Sequence, residues 1–154
     1  MAGEVPFNQQ GAWVSPALPG PTVGGGGVAT VVFSTQIAAS PARCLEVGLD
    51  SARYPAWNKF IRNAIIEESA NPAVVDTLDV SLKFLGEGGG NWLQNAERTQ
   101  DFIESADGTG TDYFNKETFS GPLSYLIKPF VGTKLINALE LWKDGLKAEA
   151  EKNT

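Results

Sequence analysis

Histidine is absent from this chain of 154 residues, and there is a single cysteine, Cys44. Without histidine the commonest general base is missing, and with it Ser-His-Asp and Cys-His nucleophile pairs and most zinc sites. One cysteine excludes an internal disulfide and a multi-cysteine metal centre. Basic residues are few, 12 against 18 acidic, for a net charge of −6. That balance argues against a nucleic-acid partner and an anionic membrane surface, both of which need clustered Lys and Arg. No apolar run approaches the roughly 20 residues of a membrane span. No signal-peptide core or Arg-rich transit segment is visible before the first basic residue, Arg43. The expectation is a cytoplasmic protein with no metal, no cofactor and no stable membrane insertion, its oligomeric state open. Any chemistry has to come from Asp, Glu, Lys, Tyr or backbone groups.

What is present is a composition that is 42% hydrophobic and 19% charged, enough for one domain with a sizeable core. Residues 1–27 carry one charge, four prolines and the run Gly24–Gly27, and are predicted to be a flexible leader with little packing of its own. The domain proper is expected over 28–154. Val28–Ala38 is rich in β-branched residues and predicts a strand with Val31, Phe33, Thr35 and Ile37 on one face. Ser40-Pro41 reads as an N-cap followed by an N1 proline, opening a short helix to about Leu49. Asp50-Ser51 opens a second turn, which Tyr54-Pro55 interrupts before Trp57–Ile61. Asn63–Ser69 and Asp76–Leu85 are candidate strands, with a helix over Val74–Leu85 as the alternative to the second. Trp92–Glu104 and Thr111–Phe119 read as a hairpin around Ala106–Gly110. The last segment carries an apolar stripe, Leu135, Leu139, Trp142 and Leu146, at helical spacing. Pro129 and Gly132 predict a break between Leu123–Lys128 and the main helix. The order is α+β, with helices on one face of an antiparallel sheet.

Specific residues resemble a known family. Ile37-Ala38-Ala39-Ser40-Pro41 through Leu49-Asp50, then Tyr54-Pro55-x-Trp57-Asn58-x-Phe60, are similar to the opening of the START-like (SRPBCC) superfamily. That group includes polyketide cyclase/dehydrase-like and coenzyme Q-binding proteins. Thr111-x-Tyr113, Glu117-x-Phe119-Ser120-Gly121-Pro122-Leu123 and the closing helix resemble its final hairpin and helix. The resemblance implies a helix-grip fold, a curved antiparallel sheet packed on a long C-terminal helix around an apolar cavity. It implies a hydrophobic small molecule as partner, carried passively or, in some members, cyclised or dehydrated. The chain departs from the family at Gly48, where a bulky apolar residue is usual. It departs again between Phe60 and Thr111, which is short by about two strands: either the sheet is abbreviated, which would leave the cavity open on one side, or the chain is an altered version of a longer one.

Alternation places Trp92, Arg98, Gln100 and Phe102 on one face of the first hairpin strand, and Tyr113, Asn115, Glu117 and Phe119 on one face of the second. With Phe102 opposite Tyr113, Arg98 falls opposite Glu117. The aromatic content of these faces assigns them inward. Glu117 is then a candidate acid or base tuned by Arg98, with Tyr113 orienting a ligand oxygen. The plainer reading is a cross-strand ion pair worth about 0.2–1 kcal/mol. Trp57, Phe60, Trp92, Gln100, Phe102, Asn115, Phe119, Tyr125, Phe130, Leu135, Leu139 and Trp142 are the expected lining. Lining a pocket and packing a core use the same residue types, so the sequence leaves three roles open: catalysis on a polyketide-like substrate, carriage of a lipid or quinone, or a remnant without a closed pocket. Cys44 reads as a small buried hydrophobe.

Overall fold

A computed structural model describes residues 10–20, 24–61 and 95–152. In chain order these form β1 (Gly11–Ser15), β2 (Ala29–Ile37), α1 (Pro41–Leu49), a 3-10 turn (Ser51–Arg53), α2 (Tyr54–Trp57), β3 (Asn95–Glu104), β4 (Thr111–Ser120) and α3 (Pro122–Ala150). The described strands make one antiparallel sheet in the order β1-β2-β4-β3. This is the α+β architecture expected. The candidate strands Asn63–Ser69 and Asp76–Leu85 and Trp92 lie outside the described residues.

Local chemistry fixes the elements. Ser40 caps α1 by accepting from the Arg43 amide at 3.3 Å, with Pro41 in the first turn; such a cap is worth about 1 kcal/mol. Asn58 ends α2, its Oδ1 accepting from the amides of Phe60 and Ile61 at 2.9 Å each. The β3–β4 turn is closed by Asp107, whose carboxylate accepts from Ser105 Oγ, the Thr109 amide and Thr109 Oγ1. Gly108 turns through φ 68°. A Cβ on Gly110 would stand 2.3 Å from the Ile37 carbonyl oxygen, so only glycine lets the turn pass β2 there. This turn sets the register expected from sequence: Phe102 faces Tyr113 and Arg98 faces Glu117.

Three expectations are corrected. Gly11–Ser15, assigned to a flexible leader with little packing of its own, pairs with β2 as an edge strand, Val14 opposite Val31. The chain that follows crosses the outer face of the sheet: the Leu18 amide donates to Thr30 Oγ1 at 2.8 Å, Thr118 Oγ1 donates to the Leu18 carbonyl at 3.1 Å, and Lys116 Nζ donates to the Pro19 carbonyl at 3.0 Å. Its few charges and small residues suit close packing on a sheet as well as they suit a linker. Second, Tyr54-Pro55 does not interrupt a turn. Pro55 sits in the first turn of α2, where its missing N–H costs nothing. Third, Pro129 and Gly132 do not divide the last helix, which runs as one element of 29 residues.

α3 packs on β2 and β1, and α1 packs on α3 and β3. The stripe Leu139, Trp142 and Leu146 is buried as expected, against Val31, Phe33, Ile37, Tyr113 and Phe119 from the sheet and Cys44, Val47, Tyr54 and Trp57 from the short helices. Tyr54, Trp57 and Trp142 form an edge-to-face triad with centroids 5.3–5.4 Å apart, a favoured geometry for aromatic pairs. A Cβ on Gly145 would lie 2.9 Å from the Trp57 carbonyl oxygen, so this glycine is what lets Trp57 close on the helix. The far end of α3 is pinned by polar contacts. Lys147 Nζ donates to the Gln36 carbonyl at 2.6 Å, and the Glu151 carboxylate accepts from the Ala38 amide at 2.8 Å.

Candidate functional site

Two successive inward rungs of the β3–β4 ladder carry polar pairs: Arg98 opposite Glu117, and Gln100 opposite Asn115. Strand alternation turns all four toward α3, because the same faces carry Ala96, Tyr113 and Phe119, which pack in the core. None is more than 1% exposed. Buried polar groups in native proteins are almost always hydrogen-bonded, and these largely are not. Arg98 Nε, Nη1 and Nη2, both oxygens of Glu117, Gln100 Nε2 and Asn115 Oδ1 are buried without a hydrogen-bond partner among the described residues.

The cross-strand ion pair is therefore not formed, although both partners are where the register predicts. The guanidinium instead reaches over aromatic rings, its Cζ 4.5 Å from the centroid of Trp142 and 5.8 Å from that of Phe33. A desolvated cation–π contact is worth about 2 kcal/mol. The penalty for burying an ion is several kcal/mol. Glu117 responds as desolvation requires. Burial pushes its pKa up from the usual carboxylate range, and the Arg98 charge only partly opposes this.

Tyr113 differs from the expectation. Its hydroxyl is fully engaged, accepting from Trp142 Nε1 at 3.0 Å and from Asn115 Nδ2 at 3.4 Å while donating to Gln100 Oε1. It is a strut that orients the two amides and Trp142, and has no hydrogen left for a ligand oxygen. Burial raises its pKa, with Arg98 opposing.

Phe102 stacks on Tyr113 with centroids 4.8 Å apart. Trp57 and Phe119 are core, and Phe60 and Leu135 are partly buried against it. Leu139 is wholly buried. Tyr125 is corrected: it is 69% exposed and does not join the interior. The side chain of Phe130 lies outside the described residues, as does Trp92. Sequence reasoning misses two participants. It puts Phe33 on the inner face of its strand but not beside the site, because the position of Phe33 opposite Asn115 depends on strand order. Asn58 Nδ2 is a further buried donor without a partner. Cys44 is buried as expected, and burial raises its thiol pKa.

An open cleft between α1, α2 and the end of α3 is lined by Arg43, Glu46, Asp50, Arg53, Trp57 and Glu149. Its arginines are each paired with a carboxylate, Arg43 with Glu46 at 2.8 Å and Arg53 with Glu149 at 2.9 Å. Among the described residues no cluster of side chains is able to hold a metal ion, and no helix is long and apolar enough to cross a membrane.

No family model matches the chain, and no curated protein is similar to it. Among solved structures it is similar to the crystal structure of TTHA0849 from Thermus thermophilus, at 15% identity and a TM-score of 0.50, over 79% of this chain and 96% of that one. That likeness is one of fold alone.

Proposed function

We propose that this chain is a helix-grip, START-like protein that takes a hydrophobic, oxygen-bearing small molecule of polyketide-like character between its sheet and α3. The observation that carries this reading is the set of buried, unpartnered polar atoms on Arg98, Gln100, Asn115 and Glu117, set among Phe33, Trp142, Phe102 and Tyr113. A core built only for stability would pair or omit such groups. A site that receives a polar head on an apolar body needs them unpaired until it arrives.

The same groups suit proton transfer. Glu117, favoured in its neutral form by burial, gives its proton to a departing hydroxyl, which leaves as water. The resulting carboxylate takes the proton from the adjacent carbon, a double bond forms between the two carbons, and Glu117 returns to its starting state. Arg98 is placed to stabilise negative charge developing on a nearby carbonyl oxygen. Passive carriage of a lipid or quinone would use the same hollow without Glu117.

The test is titration with the neutral apolar dye Nile red, together with native mass spectrometry of the protein as purified. Saturable dye uptake displaced by whatever co-purifies is the expected result. Absence of both uptake and adduct would remove the reading. With a substrate in hand, Glu117→Gln is expected to abolish turnover and spare binding; unchanged turnover would leave only carriage.

A further inference from the structure

Within the inward quartet the unpartnered groups are ordered, while Thr99 Oγ1 and Asn58 Nδ2 lie outside it. On the inward face of β3 the free atoms are donors, the guanidinium N–H groups of Arg98 and Nε2 of Gln100. On β4 they include acceptors: Oδ1 of Asn115, and the carboxyl oxygens of Glu117, which accept and, when protonated, also donate. Facing residues in an antiparallel ladder stand about 5 Å apart, and successive inward rungs about 7 Å apart. The quartet thus spans the footprint of one small polar head. Its single fixed charge is positive, and no carboxylate pairs with it. Resting on the reading that the interior takes a small molecule, we propose that the ligand is a monoanionic hydroxy-carboxylic acid on an apolar body. Its carboxylate lies on Arg98 and Gln100, and its neighbouring hydroxyl lies between Asn115 and Glu117.

The chemistry favours this head over the alternatives. A neutral ketone or alcohol would leave the guanidinium buried without a counter-charge. A simple carboxylate would satisfy β3 and leave Asn115 Oδ1 without a donor. A dianion would exceed the one fixed positive charge and crowd Glu117. A guanidinium presents two parallel N–H groups that match a planar carboxylate.

The proposal is tested by calorimetric titration with three probes that share one ring system: 3-hydroxy-2-naphthoate, its neutral methyl ester, and 2-naphthoate, which lacks the hydroxyl. The hydroxy acid is expected to bind about tenfold or more tightly than the ester, since a charge-assisted contact is worth at least that. It should bind several-fold more tightly than 2-naphthoate. Arg98→Met should bring acid and ester to equal affinity, and Asn115→Leu should equalise hydroxy acid and 2-naphthoate. Should Arg98→Met fail to fold, Gln100→Leu serves instead and should weaken the acid while leaving the ester unchanged. An ester that binds the unaltered protein as well as the acid overturns the proposal. So does Nile red uptake with no binding of any naphthoate, which would leave the proposed apolar binding between sheet and α3 standing. Failure of all four probes removes that binding as well.

Discussion

Two groups of charges in this molecule are handled in opposite ways. At the end of α3, Glu149 is held by Arg53 and Lys152 at 2.9 and 2.6 Å, and Glu151 by Lys147 at 2.6 Å. The pKa of Glu149 is lowered, first by the Lys152 hydrogen bond. On the inner face of β3–β4, Arg98 and Glu117 stand opposite each other, more deeply buried, and stay apart. The fold pairs its charges where at least one partner reaches solvent and pairing gains little, and leaves Arg98 unpaired where the penalty is greatest. The interior arrangement is thus costly to the fold, and under the proposed function a ligand that supplies the missing partners would recover that cost.

The comparison can be broken at several points. Trp142→Ala removes the ring over Arg98 and the donor to Tyr113 at once. We expect a loss of about 3–5 kcal/mol, read by urea denaturation. A loss under about 1 kcal/mol would mean that Trp142 does not hold the inner face together. Arg98→Met in the empty protein is expected to be neutral or stabilising by about 1–4 kcal/mol, because an unpaired buried charge is replaced by a side chain of similar reach. A destabilisation of about 3–5 kcal/mol, the signature of breaking a buried pair, would show that Arg98 has a partner after all. Arg53→Met, at the exposed end of its pair, should change stability by less than about 1 kcal/mol.

pH separates the two regions by sign. The pKa of Glu117 is raised in the folded state, so its contribution is fully present below its ordinary value of 4.5 and is lost as pH rises toward the raised value. Glu149 and Glu151 are lowered, so theirs is present above 4.5 and is lost as pH falls through the lowered values. Midpoints of urea unfolding from pH 3 to 9 are expected to show both limbs. Glu117→Gln should flatten the neutral limb and leave the acid limb intact. Loss of the acid limb in that variant would sink the assignment. A purely local effect is expected at the α1 cap: Ser40→Ala should cost about 0.5–2 kcal/mol and leave every probe affinity unchanged.

Short-range chemistry made much of this legible. Ser40-Pro41 announces α1, the Asp107-Gly108 turn fixes the hairpin register, and period-two alternation places Arg98, Gln100, Asn115 and Glu117 on one face. The helical stripe Leu139, Trp142 and Leu146 was legible for the same reason, since its spacing alone defines a face. Sequence misled where a residue type has two uses. Proline at position 55 begins a helix as readily as it ends one. A glycine- and proline-rich stretch such as Gly11–Gly20 serves as an edge strand and a cover as readily as a leader. Tyr125, at a plausible helical position, points to solvent.

What the chain determined by itself is the alphabet of its chemistry: no histidine, one inert cysteine, and an Arg–Glu pair placed in register by a tight turn. Whether that pair would close was decided only in three dimensions. There β2 brought Phe33 beside β4 and α3 brought Trp142 onto the sheet, and the guanidinium lies over those rings without a hydrogen bond to the carboxylate opposite. The reason is that register follows from neighbours in the chain. The surroundings of a buried charge follow from elements that lie far apart in the sequence and meet only in the folded molecule.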